Sequence, residues 1–174
     1  MYRSYPSLLI GFHGCTTSTA KSLISRNSAF KPSQNDYDWL GSGMYFWENN
    51  PERALEYAKE AIKRKKSKEK PAVVGAIIEL GFCLNLLEKY HLDNLADAYK
   101  LLVQAFNLLG KNLPQNEGGR DRLKRHLDCA VIEIQHAWRE HQNEPPYDSV
   151  RGVFQEGGEL YPGAGFEKKS HIQI

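Results

Sequence analysis

Three short stretches join glycine to a side chain that can do chemistry. They are FHGC (12–15), GSGMYF (41–46) and the last glycine-rich run with the SHIQI that follows it. A glycine beside His13 lets a ligand come close to the backbone, because no Cβ stands in the way. The amide and carbonyl of Gly14 could then bond a ligand amide, and the His13 imidazole could donate to or accept from a hydroxyl. Tyr45 offers a flat face for stacking and a hydroxyl for bonding. Near the chain end His171 and Gln173 share a face, and Glu156 and Glu159 supply carboxylates just before them. Packing gives a competing account of the same residues: Met44, Tyr45, Phe46 and Trp47 in a row also suit the core of a strand.

The elements that must position these residues follow from periodicity. SLLIGFH (7–13) reads as a buried strand, and TTSTAKSLISR as a helix with hydroxyl residues at its start. Residues 27–43 read as a loop and MYFW (44–47) as a second strand. Asn50 caps a helix with Pro51 at its first position, where the missing N–H costs little. Ala54, Tyr57, Ala58, Ala61 and Ile62 form its apolar stripe. AVVGAIIEL (72–80) is apolar throughout and predicts a central strand covered on both faces. Asp93 is the expected cap of a long helix closed by Gly110, and Leu123 to Trp138 carry the stripe of another. SVRGVF (149–154) is a strand, QEGGELYPGAGFEKK (155–169) a loop and SHIQI the final strand. The expected architecture is one α+β domain over 1–174, a mixed sheet with a helical insert at about 84–145.

Composition narrows the function classes. The chain has 174 residues, 41% of them hydrophobic and 25% charged, with a net charge of +2. That suits one globular domain able to bury its own core. Cys15, Cys83 and Cys129 are odd in number and widely spaced, so no disulfide framework is expected and a reducing cytoplasm is the default. No apolar run approaches a signal-peptide core or the ~20 residues of a membrane helix. Neither Glu133 with His136 nor His136 with His141 makes a metal motif, so no metal is expected. Two basic clusters, KRKKSKEK (63–70) and the residues from Arg120 to His126, read as solvated surface or as surfaces that steer an anionic partner.

FHGC, then GSGMYF, then a helix bearing ALEY resemble the NAD-binding core of the ADP-ribosyltransferases of the poly(ADP-ribose) polymerase and diphtheria-toxin type. His13-Gly14, Gly41, Gly43, Tyr45-Phe46 and Tyr57 match, and DSVRGVF resembles the strand before the acceptor loop. The likeness covers about 8–62 and 148–174. It implies an ADP-ribosyltransferase-like split sheet with NAD as co-substrate. In this likeness His13 bonds the adenosine ribose and Gly14 holds the nicotinamide carboxamide, with Cys15, Thr16 and Gly43 in the same binding segments. Tyr45 and Tyr57 clamp the ring. Gln173 stands where the family carries its glutamate. A glutamine can bond a ribose hydroxyl but supplies no charge, which makes Glu156 and Glu159 the alternatives. EGGELYPGAGF is also similar to the acceptor loop of arginine-directed toxins.

The resulting expectation is a transferase that moves ADP-ribose from NAD to a protein or nucleic-acid acceptor. It would be a toxin or phage-defence effector, with a neutralising partner and no membrane. A non-catalytic NAD- or ADP-ribose-binding module and an NAD glycohydrolase are the alternatives.

Overall fold

The computed structural model describes residues 8–27, 29 and 31–174. Over them the chain forms β1 (Leu8–Thr16), α1 (Thr17–Ile24), β2 (Trp47–Glu48), α2 (Pro51–Arg64), β3 (Pro71–Glu79) and β4 (Cys83–Asn85). There follow α3 (Lys89–Leu108), β5 (Asn116–Glu117), β6 (Lys124–Arg125), α4 (His126–His141), β7 (Ser149–Glu159) and β8 (Glu167–Gln173). The architecture is α+β. A six-stranded sheet runs β3-β1-β2-β8-β7-β4. It is mixed, because β4 and β7 are parallel while the other neighbours are antiparallel. The helical insert is α3 packed on α4 around Ala98, Leu102 and Val131, with the ribbon β5–β6 between them. It is shorter than the expected 84–145, since β4 belongs to the sheet.

The locally encoded elements form where the sequence places them. Asn50 accepts from the Arg53 amide at 2.9 Å and Pro51 opens α2. Thr16 caps α1 by accepting from the Thr19 amide at 3.3 Å. Ser7, read as the start of the first strand, lies outside the described residues, as do two positions of the 27–43 loop.

Other expectations are corrected. The apolar strand β3 is not central: among the described residues it forms one edge of the sheet, beside β1 alone, and none of its residues is buried. MYFW contributes only its last residue to a strand, because β2 starts at Trp47. Asp93 does not cap α3. It lies one turn inside and pairs with Lys89 at 2.8 Å, while Glu88 holds the cap position without capping the helix, its side chain accepting from Asn85 instead. The last helix begins at His126 rather than Leu123. Its first amides are met from outside, the Asn116 side-chain oxygen accepting from Leu127 at 2.9 Å and Asp128 at 3.3 Å. Residues 155–169 are mostly strand, since β7 and β8 form a hairpin that leaves only 160–166 as a loop. Gly157 and Gly158 adopt φ of 93° and 77° where the register shifts between Glu156 and Glu159. Two left-handed residues inside a strand make a bulge, and in sequence such a pair looks like a turn.

Helix α2 lies directly on β1. A Cβ at Gly14 would overlap the Ala54 carbonyl oxygen and press on the Ala58 methyl. Gly14 is therefore glycine because a helix backbone occupies the space its side chain would need. Gly43, by contrast, has nothing within 4 Å of its Cβ position. Gly14→Ala is expected to lower stability by ~1–3 kcal/mol, the usual cost of forcing extra volume into a packed site. Gly43→Ala should fall within ~0.5 kcal/mol of the parent; urea melts of both variants check the contrast.

Candidate functional site

The candidate site sits where the sheet opens. β1 and β2 pair only at Gly11 with Glu48 and Phe12 with Trp47. In that register the next hydrogen-bonded pair would be Gly14 with Tyr45. On its other edge the Phe46 backbone exchanges both hydrogen bonds with Ile174, at 2.9 and 3.0 Å, continuing the β2–β8 pairing. The Tyr45 carbonyl accepts from His13 Nδ1 at 2.9 Å. Two strands thus part after Phe12, and His13 bridges the parting. The Ile10 carbonyl accepts from the Asn49 amide across β1–β2, so strand alternation turns the amide and carbonyl of Gly14 to the same side, into the opening.

His13 lies on the opposite face of β1 from Gly14. Its ring packs near Phe46, with centroids 5.7 Å apart. Because a carbonyl only accepts, Nδ1 carries the proton and Nε2 is the acceptor nitrogen. The Tyr45 hydroxyl, expected to be free for a ligand, is engaged twice: it donates to the Gly41 carbonyl and accepts from the Leu40 amide, both at 2.9 Å. Burial raises its pKa well beyond the usual phenol range. Gly41 makes this turn at φ 84°. The ring facing Tyr57 is Trp47, at 4.9 Å, not Tyr45. Tyr57 remains exposed on α2 while Trp47 is buried beneath it.

Gln173 is buried in β8, opposite Trp47 on one side and Gly152 on the other. Its oxygen accepts from the Trp39 indole at 2.6 Å, which turns its NH2 toward His171 Nε2 at 3.4 Å. The proton of His171 is therefore on Nδ1, which is buried without a partner. Burial, reinforced by the Arg53 and Lys169 charges, lowers the His171 pKa to about 4. Trp39 can lie here because Gly152 has no side chain; a Cβ there would stand 2.7 Å from the indole. Trp39 is a neighbour of the candidate site that a loop position gave no periodic signal to find.

Glu156 also reaches this face, but it is taken. Arg53, 8% exposed, forms a buried ion pair with it, and the guanidinium lies 5.9 Å from the Trp47 ring. Glu60 stands 3.7 Å from the same guanidinium and Lys169 4.0 Å from Glu156. Arg53 is the main residue that the sequence reading passed over; it adjoins the buried Ala54 on α2. Trp47 Nε1, Arg53 Nε and Nη1, and His171 Nδ1 are all buried without hydrogen-bond partners. All are donors, and the Glu56 and Glu60 carboxylates, 3.8 and 3.7 Å from the guanidinium, pair with its charge without closing hydrogen bonds to it.

The remaining candidates stand apart. Glu159 lies at the exposed hairpin end, accepting from the Gly163 amide at 3.0 Å, and is not in the site. Burial raises the pKa of the Cys15 thiol, which keeps it protonated. The Thr16 hydroxyl is spent as the α1 cap. Gly43 is bridged by backbone bonds to Ser33. Two cavities open elsewhere, one at the end of α1 around Ser22 and Ser25, the other between α4 and Pro146. Among the described residues no His, Cys, Asp and Glu group is placed to hold a metal, and no helix is long and apolar enough to cross a membrane. Comparison with protein-family models, curated proteins and solved structures finds no match.

Two outcomes follow from this corner. Glu156→Ala would strand the Arg53 charge, at a cost of ~3–5 kcal/mol, readable in denaturant melts; Glu156→Gln should cost less because it keeps an acceptor. His171 is neutral in the fold, with a pKa of about 4, against ~6.5 in an unfolded chain. Its contribution to stability is therefore complete above pH ~6.5 and lost as pH falls toward 4. The difference in stability between the parent and His171→Phe should change across that window, as pH-dependent urea melts would show.

Proposed function

We propose that the opening between β1 and β2 binds NAD and that the protein is an ADP-ribosyltransferase. The observation that carries this reading is the Gly14 main chain, turned into the gap where the sheet parts. An amide and carbonyl pair on one residue matches the donor and acceptor of a carboxamide. Tyr45 stands across the gap, Tyr57 overlooks the same face from α2, and Gln173 occupies the neighbouring strand. The buried donors of Trp47, Arg53 and His171 that make no hydrogen bond suit a ligand rich in hydroxyl and carbonyl oxygens.

In this reading the bond between nicotinamide nitrogen and ribose C1′ breaks, and the electron pair leaves with the nicotinamide. A nucleophile of the acceptor, protein or nucleic acid, takes C1′ and gives up a proton. Dipoles aimed at the developing oxocarbenium charge would lower the barrier. Gln173 serves as the residue that bonds the ribose hydroxyl. A neutralising partner protein belongs to the same proposal, as an effector of this kind needs restraint in the cell that makes it.

One observation favours a second reading, a non-catalytic NAD-binding module: both candidates for the family's glutamate are already committed. The Gln173 amide bonds Trp39 and His171, and Glu156 neutralises Arg53.

The test follows nicotinamide released from NAD in a cell lysate, together with label transferred from adenine-labelled NAD. The transferase reading expects both. Release without label indicates hydrolysis, and a thermal shift without release indicates the binding module. Gln173→Ala should cut release by ~10²-fold, the usual scale for losing one transition-state hydrogen bond. Tyr57→Ala, at an exposed position, should weaken NAD binding with little loss of stability, whereas Glu159→Ala should leave both unchanged.

A further inference from the structure

Strand β3 carries a contradiction between what it is made of and where it lies. Its sequence PAVVGAIIE is apolar from Pro71 to Ile78, the composition of a strand covered on both faces. Yet it forms the sheet edge and none of its nine residues is buried. Ile77 is 75% exposed. Its neighbour in register is Ile10, and the next exposed apolar residue on that face is Leu8. Edges of soluble sheets are ordinarily blunted by charge, proline, a bulge or short length. β3 has a proline and a glutamate only at its two ends, and its pairing with β1 runs without a register break over all nine residues.

We propose that β3 pairs edge to edge with β3 of a second copy of this chain, antiparallel about a two-fold axis at Gly75. The backbone geometry selects that register. The Thr17 amide bonds the Lys70 carbonyl, so the even-numbered residues of β3 turn their backbones to β1. Val73, Gly75 and Ile77 then point their amides and carbonyls outward. An axis at Gly75 sets Gly75 against its own copy and Val73 against Ile77 of the other, so each of these outward groups gains a partner. Ile77 of one copy comes to lie beside Val73 of the second, on the face where α2 packs across β1 and β3.

Charge supports the same arrangement. Glu79 falls opposite Pro71 of the second copy, next to its Lys70 and the basic run 63–70. The two basic runs end at opposite ends of the paired strands, roughly 30 Å apart at ~3.4 Å per residue. That is well beyond the ~8 Å Debye length, so they do not oppose pairing. The two six-stranded sheets become one continuous sheet, and the outer edge of each β3 disappears.

The experiment is light-scattering mass across a concentration series, with amide hydrogen exchange read residue by residue. The parent chain is expected at twice 19.8 kDa, with the Val73, Gly75 and Ile77 amides protected. Ile77→Lys, at a solvent-facing position, should halve the mass and leave the circular dichroism unchanged. It should lose protection at those three amides while Val74 and Ala76 stay protected by β1. Glu79→Lys should weaken association in the same direction. A parent that stays monomeric at every concentration overturns the proposal. So does a dimer that survives Ile77→Lys, or one whose three amides exchange freely. A monomer that protects these amides only when an alternating Val-Glu peptide is added would replace the second copy with an acidic partner strand.

Discussion

The contact between Gly14 and the Ala54 carbonyl sets the geometry of everything around the candidate site. A helix backbone resting on a strand backbone leaves no layer of side chains between them. α2 is thereby held at a fixed height and angle over the sheet, anchored at its start by the Asn50 cap. From that position it lowers Arg53 into the buried corner and holds Tyr57 over Trp47. A wider spacing would separate Arg53 from Glu156 and leave two charges buried apart, a costly state. The same missing side chain serves two purposes: one side of Gly14 receives the helix, and its peptide groups face the gap.

The parting of β1 from β2 is sustained by competition for backbone partners. Phe46, whose peptide groups face the other way, continues the β2–β8 pairing to Ile174, while on the β1 side the carbonyl of Tyr45 is occupied by an imidazole. Tyr45 is in turn clasped by Leu40 and Gly41. Closing the sheet would mean breaking the bond from His13 to the Tyr45 carbonyl, so the opening is a built feature rather than a frayed end. Buried donors around it are the other half of its character, since unpaired N–H groups are expensive unless something with lone pairs arrives.

Much of this could be read before any coordinates. The Asn50-Pro51 start of α2 is a local signal, with the cap and its amide three residues apart. The α3 stripe, with Leu95, Leu102 and Phe106 on one side, is likewise set by neighbours along a single helix. What the sequence hides is decided at long range. Composition describes β3 as a buried strand but cannot say which strands flank it. Gly157 and Gly158 resemble a turn, yet the partner strand absorbs them as a bulge. Among the site residues, His13, Tyr45 and Gln173 were findable as types in order, and they do gather at adjoining strand ends. Their bonds were not: which carbonyl His13 meets, that Tyr45 spends its hydroxyl on its own loop, and that Trp39 claims Gln173 depend on folding together residues up to 134 apart in sequence.

The α3–α4 block leaves the sheet at β4 and comes back at β7, two strands lying side by side with Asn85 in register with Arg151. Its exit and return points are therefore neighbours, and its length is not constrained by the sheet. It is not mechanically separate, however. Glu133 on α4 accepts from the Ser42 amide at 2.7 Å, and Ile132 fills the space above Gly41. A displacement of α4 would be felt first at the hinge that holds the Tyr45 ring in place. Exchanging one helical module for another could thus alter what the surface touches and, through a single glutamate, how firmly the aromatic wall of the opening is braced.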